Sequence, residues 1–129
     1  MFCVAIVSAC SIPVLEDAKC TAGRESLKRT YSLWLGNESE SIAKKPGSLE
    51  RILTKEAVNK ASKFDGDYLT QSEKMPSASR IGACRQVGKD LEFDLKLFIR
   101  NADSPVELNR VIRMVSDKET WKISDVRTN

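Results

Sequence analysis

One stretch of the sequence alternates apolar and charged residues over ten positions. The apolar members are Leu91, Phe93, Leu95, Leu97 and Ile99, and the residues between and after them are Glu92, Asp94, Lys96, Phe98 and Arg100. Because successive side chains of a β-strand point to opposite faces, this period predicts a strand with one buried face and one face in water. A chain with such a strand also needs another layer to cover the apolar face.

Three further segments have the residue pattern of strands. We predict strands over 79–87, 106–114 and 121–126, separated from one another and from the 91–99 strand by short turns. Connections this short exclude parallel pairing of successive strands, which needs a long crossover. The second half of the chain is therefore predicted to be an antiparallel meander.

The first half has helical periodicity instead. Leu27, Tyr31, Trp34 and Leu35 recur on one helical stripe. A second helical pattern begins near Ser48 and would place Phe64 among its buried residues, while Thr54 offers an alternative cap that splits this helix into two. Helices followed by a meander predict an α+β domain, with N-terminal helices packed on a curved antiparallel sheet of about four strands.

The first 19 residues differ in composition from the rest. Residues 1–15 are small or apolar and uncharged, and Val7-Ser8-Ala9-Cys10 resembles the lipobox of bacterial lipoproteins, which makes Cys10 a lipidation candidate. No basic residue precedes Lys19, so the signal is either degenerate or begins upstream. The alternatives for 1–19 are a disordered tail or an ordinary first strand, and residues 20–129 are predicted to be a single domain.

Cysteine and histidine counts exclude several chemistries. Histidine is absent and the four cysteines form no C-x-x-C pair, so zinc sites, thioredoxin-like chemistry and histidine-based catalysis are excluded, and we expect no metal or cofactor. If Cys10 is lipidated and Cys3 is removed with the signal, Cys20 and Cys84 remain as a disulfide candidate. The alternative is two unrelated buried thiols.

The charge balance bears on partners. Lys and Arg number 21 and Asp and Glu 18, so the net charge of +3 is small and argues against nucleic acid. The expected partner is an unknown protein or a small apolar ligand. Four residues are candidates for a pocket or a contact: Tyr31, Trp34, Phe98 and Arg110. Arg110 falls on the apolar side of its strand, which implies either a bulge near Asn109 or a carboxylate partner such as Glu92 or Asp94.

The closing segment 121–127, together with Leu53-Thr54 and the 65–69 segment, resembles the uncharacterised bacterial envelope family typified by the YbjP lipoprotein, within the nuclear transport factor 2-like (cystatin-like) superfold. The resemblance implies helices inside a strongly bent sheet that forms a cone with an apolar pocket. It also implies export, lipid anchoring in the periplasm or at the outer membrane, and, by analogy, a homodimer.

These observations predict a non-catalytic exported binding domain of the bacterial cell envelope, a lipoprotein of unknown ligand. One alternative is an immunity or inhibitor protein that neutralises a toxin or hydrolase, which would use a surface loop with acidic or aromatic residues. Another is a small cone-type isomerase or dehydratase with Asp94 as base and Tyr31 as hydrogen-bond donor. If residues 1–15 are instead a first strand, the protein is cytoplasmic with free thiols.

Overall fold

The structure, a computed structural model, describes residues 16–35, 48–100 and 103–128. The helices within these ranges are α1 (Ala18–Leu35), α2 (Ser48–Ile52) and α3 (Lys55–Lys63). The strands are β1 (Ala78–Val87), β2 (Asp90–Ile99), β3 (Val106–Asp117) and β4 (Thr120–Thr128). The strands pair antiparallel in the order β1-β2-β3-β4. The predicted α+β class, with an N-terminal helix packed on a four-stranded antiparallel sheet, is confirmed.

Helix α1 packs on the sheet mainly against the edge strand β1, and it also contacts β2 and β4. Its first turn is capped by Asp17, whose carboxylate accepts a hydrogen bond from the Lys19 backbone N–H at 2.7 Å. The buried stripe includes Gly23 and Leu27. A Cβ atom at Gly23 would lie 2.7 Å from Leu91 Cδ1, so the glycine permits the close approach of α1 to β2.

The junction between α2 and α3 joins the helices to the edge of β4. The Thr54 hydroxyl accepts a hydrogen bond from the Ala57 backbone N–H at 3.2 Å, which confirms that Thr54 caps a separate helix. The Thr54 backbone N–H donates to the Ile123 carbonyl at 2.9 Å. The prediction that Phe64 is buried is wrong. Helix α3 ends at Lys63, the backbone of Phe64 is extended, and Phe64 is 37% exposed. Its ring and the ring of Tyr68 pack edge to face.

Two bulges interrupt the sheet. One lies on β1 between Ile81 and Cys84, and the other shifts the β3–β4 register between Arg113 and Met114. A bulge bends its strand and increases the local twist, and both bulges lie in the outer strand pairs of the sheet. The central pair of β2 and β3 keeps a regular register through Asn109, where the sequence had suggested a bulge.

A disulfide joins Cys20 on α1 to Cys84 on β1, with their Cα atoms 6.0 Å apart, and confirms the predicted pairing. The cysteines are separated by 64 positions in the sequence. Closing a loop of that size stabilises the fold by about 4 kcal/mol on the chain-entropy estimate. Arg24 reinforces the same junction, since its guanidinium donates to the Gly82 carbonyl at 2.8 Å and pairs with Glu16 at 2.8 Å.

The described ranges contain no helix that is both long enough and apolar enough to cross a membrane. Helix α1 begins at Ala18, two residues before the predicted boundary at residue 20. Cys10 and the rest of the segment 1–15 lie outside the described residues, and the interpretation of that segment as a signal with a lipidation site stays a prediction.

Candidate binding groove

A groove of about 630 Å³ lies between α1, α2 and the turn that joins β3 to β4. Its volume is within the range of about 300–1,000 Å³ that is typical of small-molecule sites. We call it the α1–α2 groove, and it is lined by Ala22, Ser26, Arg29, Thr30, Leu33, Trp34, Arg51, Ile52, Glu119, Thr120 and Trp121. Three other surface depressions on the described part of the chain have smaller volumes, of about 530, 390 and 350 Å³.

Helix α1 forms one wall of the groove. The residues that line the groove lie on the helix next to the stripe that is buried against the sheet. Ala22, Ser26, Arg29 and Leu33 recur at intervals of three and four residues, so they lie on one face of the helix. Leu33 is 43% exposed, so much of its apolar side chain lies at the surface of the helix. Its exposure adds apolar surface at the groove that the protein core does not use.

The two tryptophans line the groove, and they are the only tryptophans in the sequence. The Trp34 indole N–H donates to both carboxylate oxygens of Asp67, at 3.1 and 3.0 Å, and Thr70 donates to the same carboxylate at 2.7 Å. These bonds fix the orientation of the Trp34 ring and occupy its polar atom. Trp121, on β4, is half-buried. The groove is therefore lined by one aromatic residue from the helices, which is 7% exposed, and by a more exposed one from the sheet.

Three charged side chains line the same groove. Arg29 comes from α1, Arg51 from α2 and Glu119 from the β3–β4 turn. In the described part of the chain, neither arginine has a carboxylate within salt-bridge distance. Four other arginines each form an ion pair, and these pairs are Arg24–Glu16, Arg85–Asp94, Arg113–Asp90 and Arg127–Glu92. The lining thus has two positive groups and one negative group in addition to its apolar side chains.

The turn that brings Glu119 to the groove has an unfavourable backbone. Lys118 and Glu119 adopt φ angles of 54° and 60°, in the left-handed region that favours glycine and asparagine. The β1–β2 turn has Gly88 at φ 63°. Non-glycine residues in this region cost on the order of 1 kcal/mol each, and such strain clusters at functional sites. The strained turn is adjacent to Trp121 and forms one rim of the groove.

Tyr31 lies in the core rather than in the groove. Its hydroxyl is fully buried and donates to the Leu69 carbonyl at 2.6 Å. Burial raises the pKa of Tyr31 well above its ordinary value, and the nearby Asp67 carboxylate raises it further. Tyr31 therefore remains neutral and acts as a donor that holds the chain segment after α3.

Arg110 holds the same segment from the opposite side. Its guanidinium donates to the carbonyls of Thr70 at 2.9 Å, Gln71 at 2.8 Å and Asn109 at 2.7 Å. Neither cause proposed from the sequence applies, since the strand register is regular and the partners are backbone oxygens rather than carboxylates. Burial lowers the pKa of Arg110, yet three carbonyl acceptors stabilise its charge. Gln71 has a φ of 51°, and these contacts maintain that backbone conformation.

The side of the sheet that faces away from the helices, which we call the open face, holds the acidic residues of β2. There Asp94 accepts two hydrogen bonds from Arg85, at 3.1 and 2.9 Å. Tyr31 is buried on the helix-facing side, so the structure does not bring together the Asp94 base and the Tyr31 donor suggested from the sequence. Phe98 is half-buried and is aligned with Ala78 on β1 and Glu107 on β3.

Of the residues selected from the sequence, Trp34 alone lines the α1–α2 groove. Sequence analysis missed Arg29, Arg51 and Glu119, because each lies on a different element and only the tertiary fold brings them together. One signal was present. Leu33 is an apolar residue outside the buried stripe of α1, beside Trp34 and one helical turn from Arg29.

Among the described residues, no group of three or more histidine, cysteine or acidic side chains is placed to hold a metal ion. Comparisons with protein-family models, with curated proteins and with solved structures find no match to this chain.

Proposed function

We propose that this chain is a non-catalytic binding domain of the bacterial cell envelope, and that the α1–α2 groove is its binding site. The observation that carries the proposal is the groove itself, whose lining combines the exposed Leu33, the half-buried Trp121 and the buried Trp34 with three charged groups. A concave apolar site with a few converging polar groups is the usual form of a small-molecule site. Binding needs no group that transfers a proton or attacks a substrate.

Location in the envelope is part of the proposal. The Cys20–Cys84 disulfide is compatible with an oxidising compartment, where such bonds persist. The lipobox-like Val7-Ser8-Ala9-Cys10 precedes α1, so a lipid on Cys10 would anchor the domain through a short segment. We further propose that the bent sheet is the cone of the nuclear transport factor 2-like superfold and that the chain is related to the YbjP family. The two bulges at the sheet edges support the bent form.

Native mass spectrometry tests the binding role. The full chain is purified from the envelope fraction without denaturant, and its mass is compared before and after extraction with organic solvent. We expect a bound small molecule that extraction removes. A Ser26→Phe variant fills the groove and should lose the ligand, while Glu25→Phe, on an exposed position of the same helix, should keep it. Equal occupancy in both variants, or no ligand in the unsubstituted chain, contradicts the role of the groove.

Fractionation and intact mass test the compartment. The expected species is associated with the membrane. Its mass should exceed that of the unmodified residues from Cys10 onward by the mass of a lipid. Reduction should then add the mass of two hydrogens, because one disulfide is opened. A Cys10→Ser variant should be released from the membrane fraction with its disulfide intact. A full-length unmodified chain with free thiols would contradict export.

One observation favours an inhibitor as a second candidate. Phe64 and Met75 are 37% and 50% exposed, and they border the same surface depression as the acidic residues Asp65 and Glu73. Exposed apolar side chains among acidic groups are suited to a protein partner with a basic, apolar site. This surface includes the loop with acidic and aromatic residues that the inhibitor hypothesis requires.

Site-specific photo-crosslinking distinguishes the two candidates. A crosslinking amino acid at position 64 is compared with the same amino acid at position 119, beside the groove, in the full chain in its host. An inhibitor should crosslink to one protein from position 64 and not from position 119. The absence of a protein adduct from position 64 contradicts the inhibitor hypothesis and leaves the groove as the binding site.

A further inference from the structure

The charges around the α1–α2 groove select the kind of molecule that the groove can hold. We propose that the groove binds an amphipathic carboxylate, a molecule with an apolar chain or ring and one carboxylate group. The inference rests on the proposed binding function and adds the class of ligand.

The apolar part of the ligand has a defined surface to contact. Leu33 and Ile52 contribute aliphatic groups, and Trp121 contributes an aromatic ring. The indole N–H of Trp34 is already bonded to Asp67, so what Trp34 can offer to a ligand is its apolar ring. Contact with these side chains removes apolar surface of the ligand from water, which favours binding in proportion to the area buried.

The two arginines supply the recognition of an anion. Arg29 and Arg51 come from different helices and both line the groove, and within the described residues neither forms a salt bridge or a side-chain hydrogen bond. Guanidinium groups bind carboxylates through strong, charge-assisted hydrogen bonds. An anionic group on the ligand would give both arginines the partner that the described protein does not provide.

Glu119 allows the sign of the ligand's charge to be tested, because its own charge is opposite to that of the two arginines. It is the acidic residue of the groove lining, and the strained β3–β4 turn holds it at the rim. A carboxylate on the ligand is repelled by Glu119 and attracted by Arg29 and Arg51. Neutralising Glu119 should therefore tighten the binding of an anion, whereas neutralising either arginine should weaken it. A purely structural role of these residues predicts no such opposite signs.

The tryptophans allow a direct binding measurement. Since Trp34 and Trp121 are the only tryptophans and both line the groove, a ligand in the groove should change the intrinsic fluorescence of the protein. The full chain is titrated with decanoate, 1-decanol and decylammonium, which share one alkyl chain and differ in charge, all below their micelle-forming concentrations. We expect decanoate to bind about tenfold more tightly than decanol and decylammonium to bind most weakly.

Four variants complete the experiment. Arg29→Gln and Arg51→Gln should each weaken decanoate binding about tenfold, and Glu119→Gln should strengthen it severalfold. Arg80→Gln is the matched control, because Arg80 is an exposed arginine outside this groove, and it should leave binding unchanged. Circular dichroism spectra should be the same for all four variants, since these side chains are solvent-exposed.

The outcomes separate this inference from the proposed function. Equal affinity for decanoate and decanol, or equal effects of Arg29→Gln and Arg80→Gln, overturns the carboxylate class. Tighter binding of decylammonium overturns it too. If native mass spectrometry nevertheless detects a groove-dependent ligand, the binding function holds and only the ligand class is wrong. If no probe changes the tryptophan emission and no ligand co-purifies, both proposals fail.

Discussion

The two faces of the sheet are made by the same strands and have opposite chemistry. On the face toward the helices, Leu91, Phe93, Leu95 and Leu97 of β2 are buried. On the open face, Glu92 of the same strand lies within 4.0 Å of three arginines; they are Arg85 on β1, Arg113 on β3 and Arg127 on β4. One face is held by the removal of apolar surface from water, and the other by ion pairs in which Glu92 is 13% exposed and its arginine partners are 33–47% exposed.

Most of the stability of this fold resides on the helix-facing side of the sheet. Full burial of a large apolar side chain contributes about 1.5–3 kcal/mol, while an exposed ion pair contributes about 0–1 kcal/mol. The open face therefore keeps β2 soluble and in register, and the helix-facing side supplies most of the free energy of unfolding. The following predictions test this division with substitutions on the two faces.

The largest effect is expected from Phe93→Ala. Phe93 is fully buried, and its ring lies 3.2 Å from the position that a Cβ atom would take at Gly23 of α1. Removing the ring leaves a cavity between helix and sheet and should lower the free energy of unfolding by about 3–5 kcal/mol. Urea denaturation measures the change. The adjacent open-face variant Asp94→Ala is the control and should cost less than about 1 kcal/mol.

The second prediction concerns the polar side chain that interrupts the helix-facing side. Arg110→Met removes the guanidinium that is bonded to the carbonyls of Thr70 and Gln71. The buried carbonyls lose their donors, so we expect a loss of about 2–3 kcal/mol. Arg113→Met on the open face should cost less than about 1 kcal/mol, because Asp90 stays solvated. Equal losses for the two arginines would mean that the two faces do not differ in how much their polar contacts stabilise the fold.

Arg110 also marks the limit of what sequence analysis can predict for this fold. The alternation of β2, the stripe of α1 and the Thr54 cap are local patterns, and each predicts its element correctly. Sequence analysis identified Arg110 as an exception to the alternation of β3. Its partners could not be predicted, because the 70–71 carbonyls belong to a turn some forty residues away whose path is set by tertiary contacts.

The same reasoning applies to the candidate site. Trp34 was selected from the sequence as an aromatic residue on a helical stripe, and it lines the groove. Arg29, Arg51 and Glu119 are ordinary surface charges when the sequence alone is considered. They line one groove because α2 and the β3–β4 turn both lie against the same side of α1. The periodicity of the sequence does not predict that arrangement. Elements can be predicted from periodicity, whereas a groove between elements requires the tertiary structure.

The third prediction is a smaller loss on the helix-facing side. Tyr31→Phe removes the hydroxyl bonded to the Leu69 carbonyl and should cost about 1–2 kcal/mol at neutral pH. Burial raises the pKa of Tyr31, so the folded state favours the neutral phenol. Its contribution is present below the unfolded-state pKa of about 10 and falls as the pH rises above that value. Tyr31→Phe should therefore reduce alkaline destabilisation, and a variant with an unchanged alkaline profile would contradict this assignment.

The smallest effect is expected on the open face and depends on pH. Hydrogen bonds from Arg85 hold the pKa of Asp94 below its ordinary value. A lowered pKa in the folded state stabilises the fold above the unfolded-state pKa of about 3.9, and this stabilisation is lost as the pH falls through the lower folded-state pKa. Because the pair is largely exposed, solvent screening limits the effect to a few tenths of a kcal/mol. A double-mutant cycle of Arg85→Gln and Asp94→Asn at pH 7 and at pH 2.5 measures it. A coupling energy that is the same at both pH values would contradict the stabilising role of the Arg85–Asp94 ion pair. A coupling energy as large as the loss in Arg110→Met would mean that the two faces do not differ energetically.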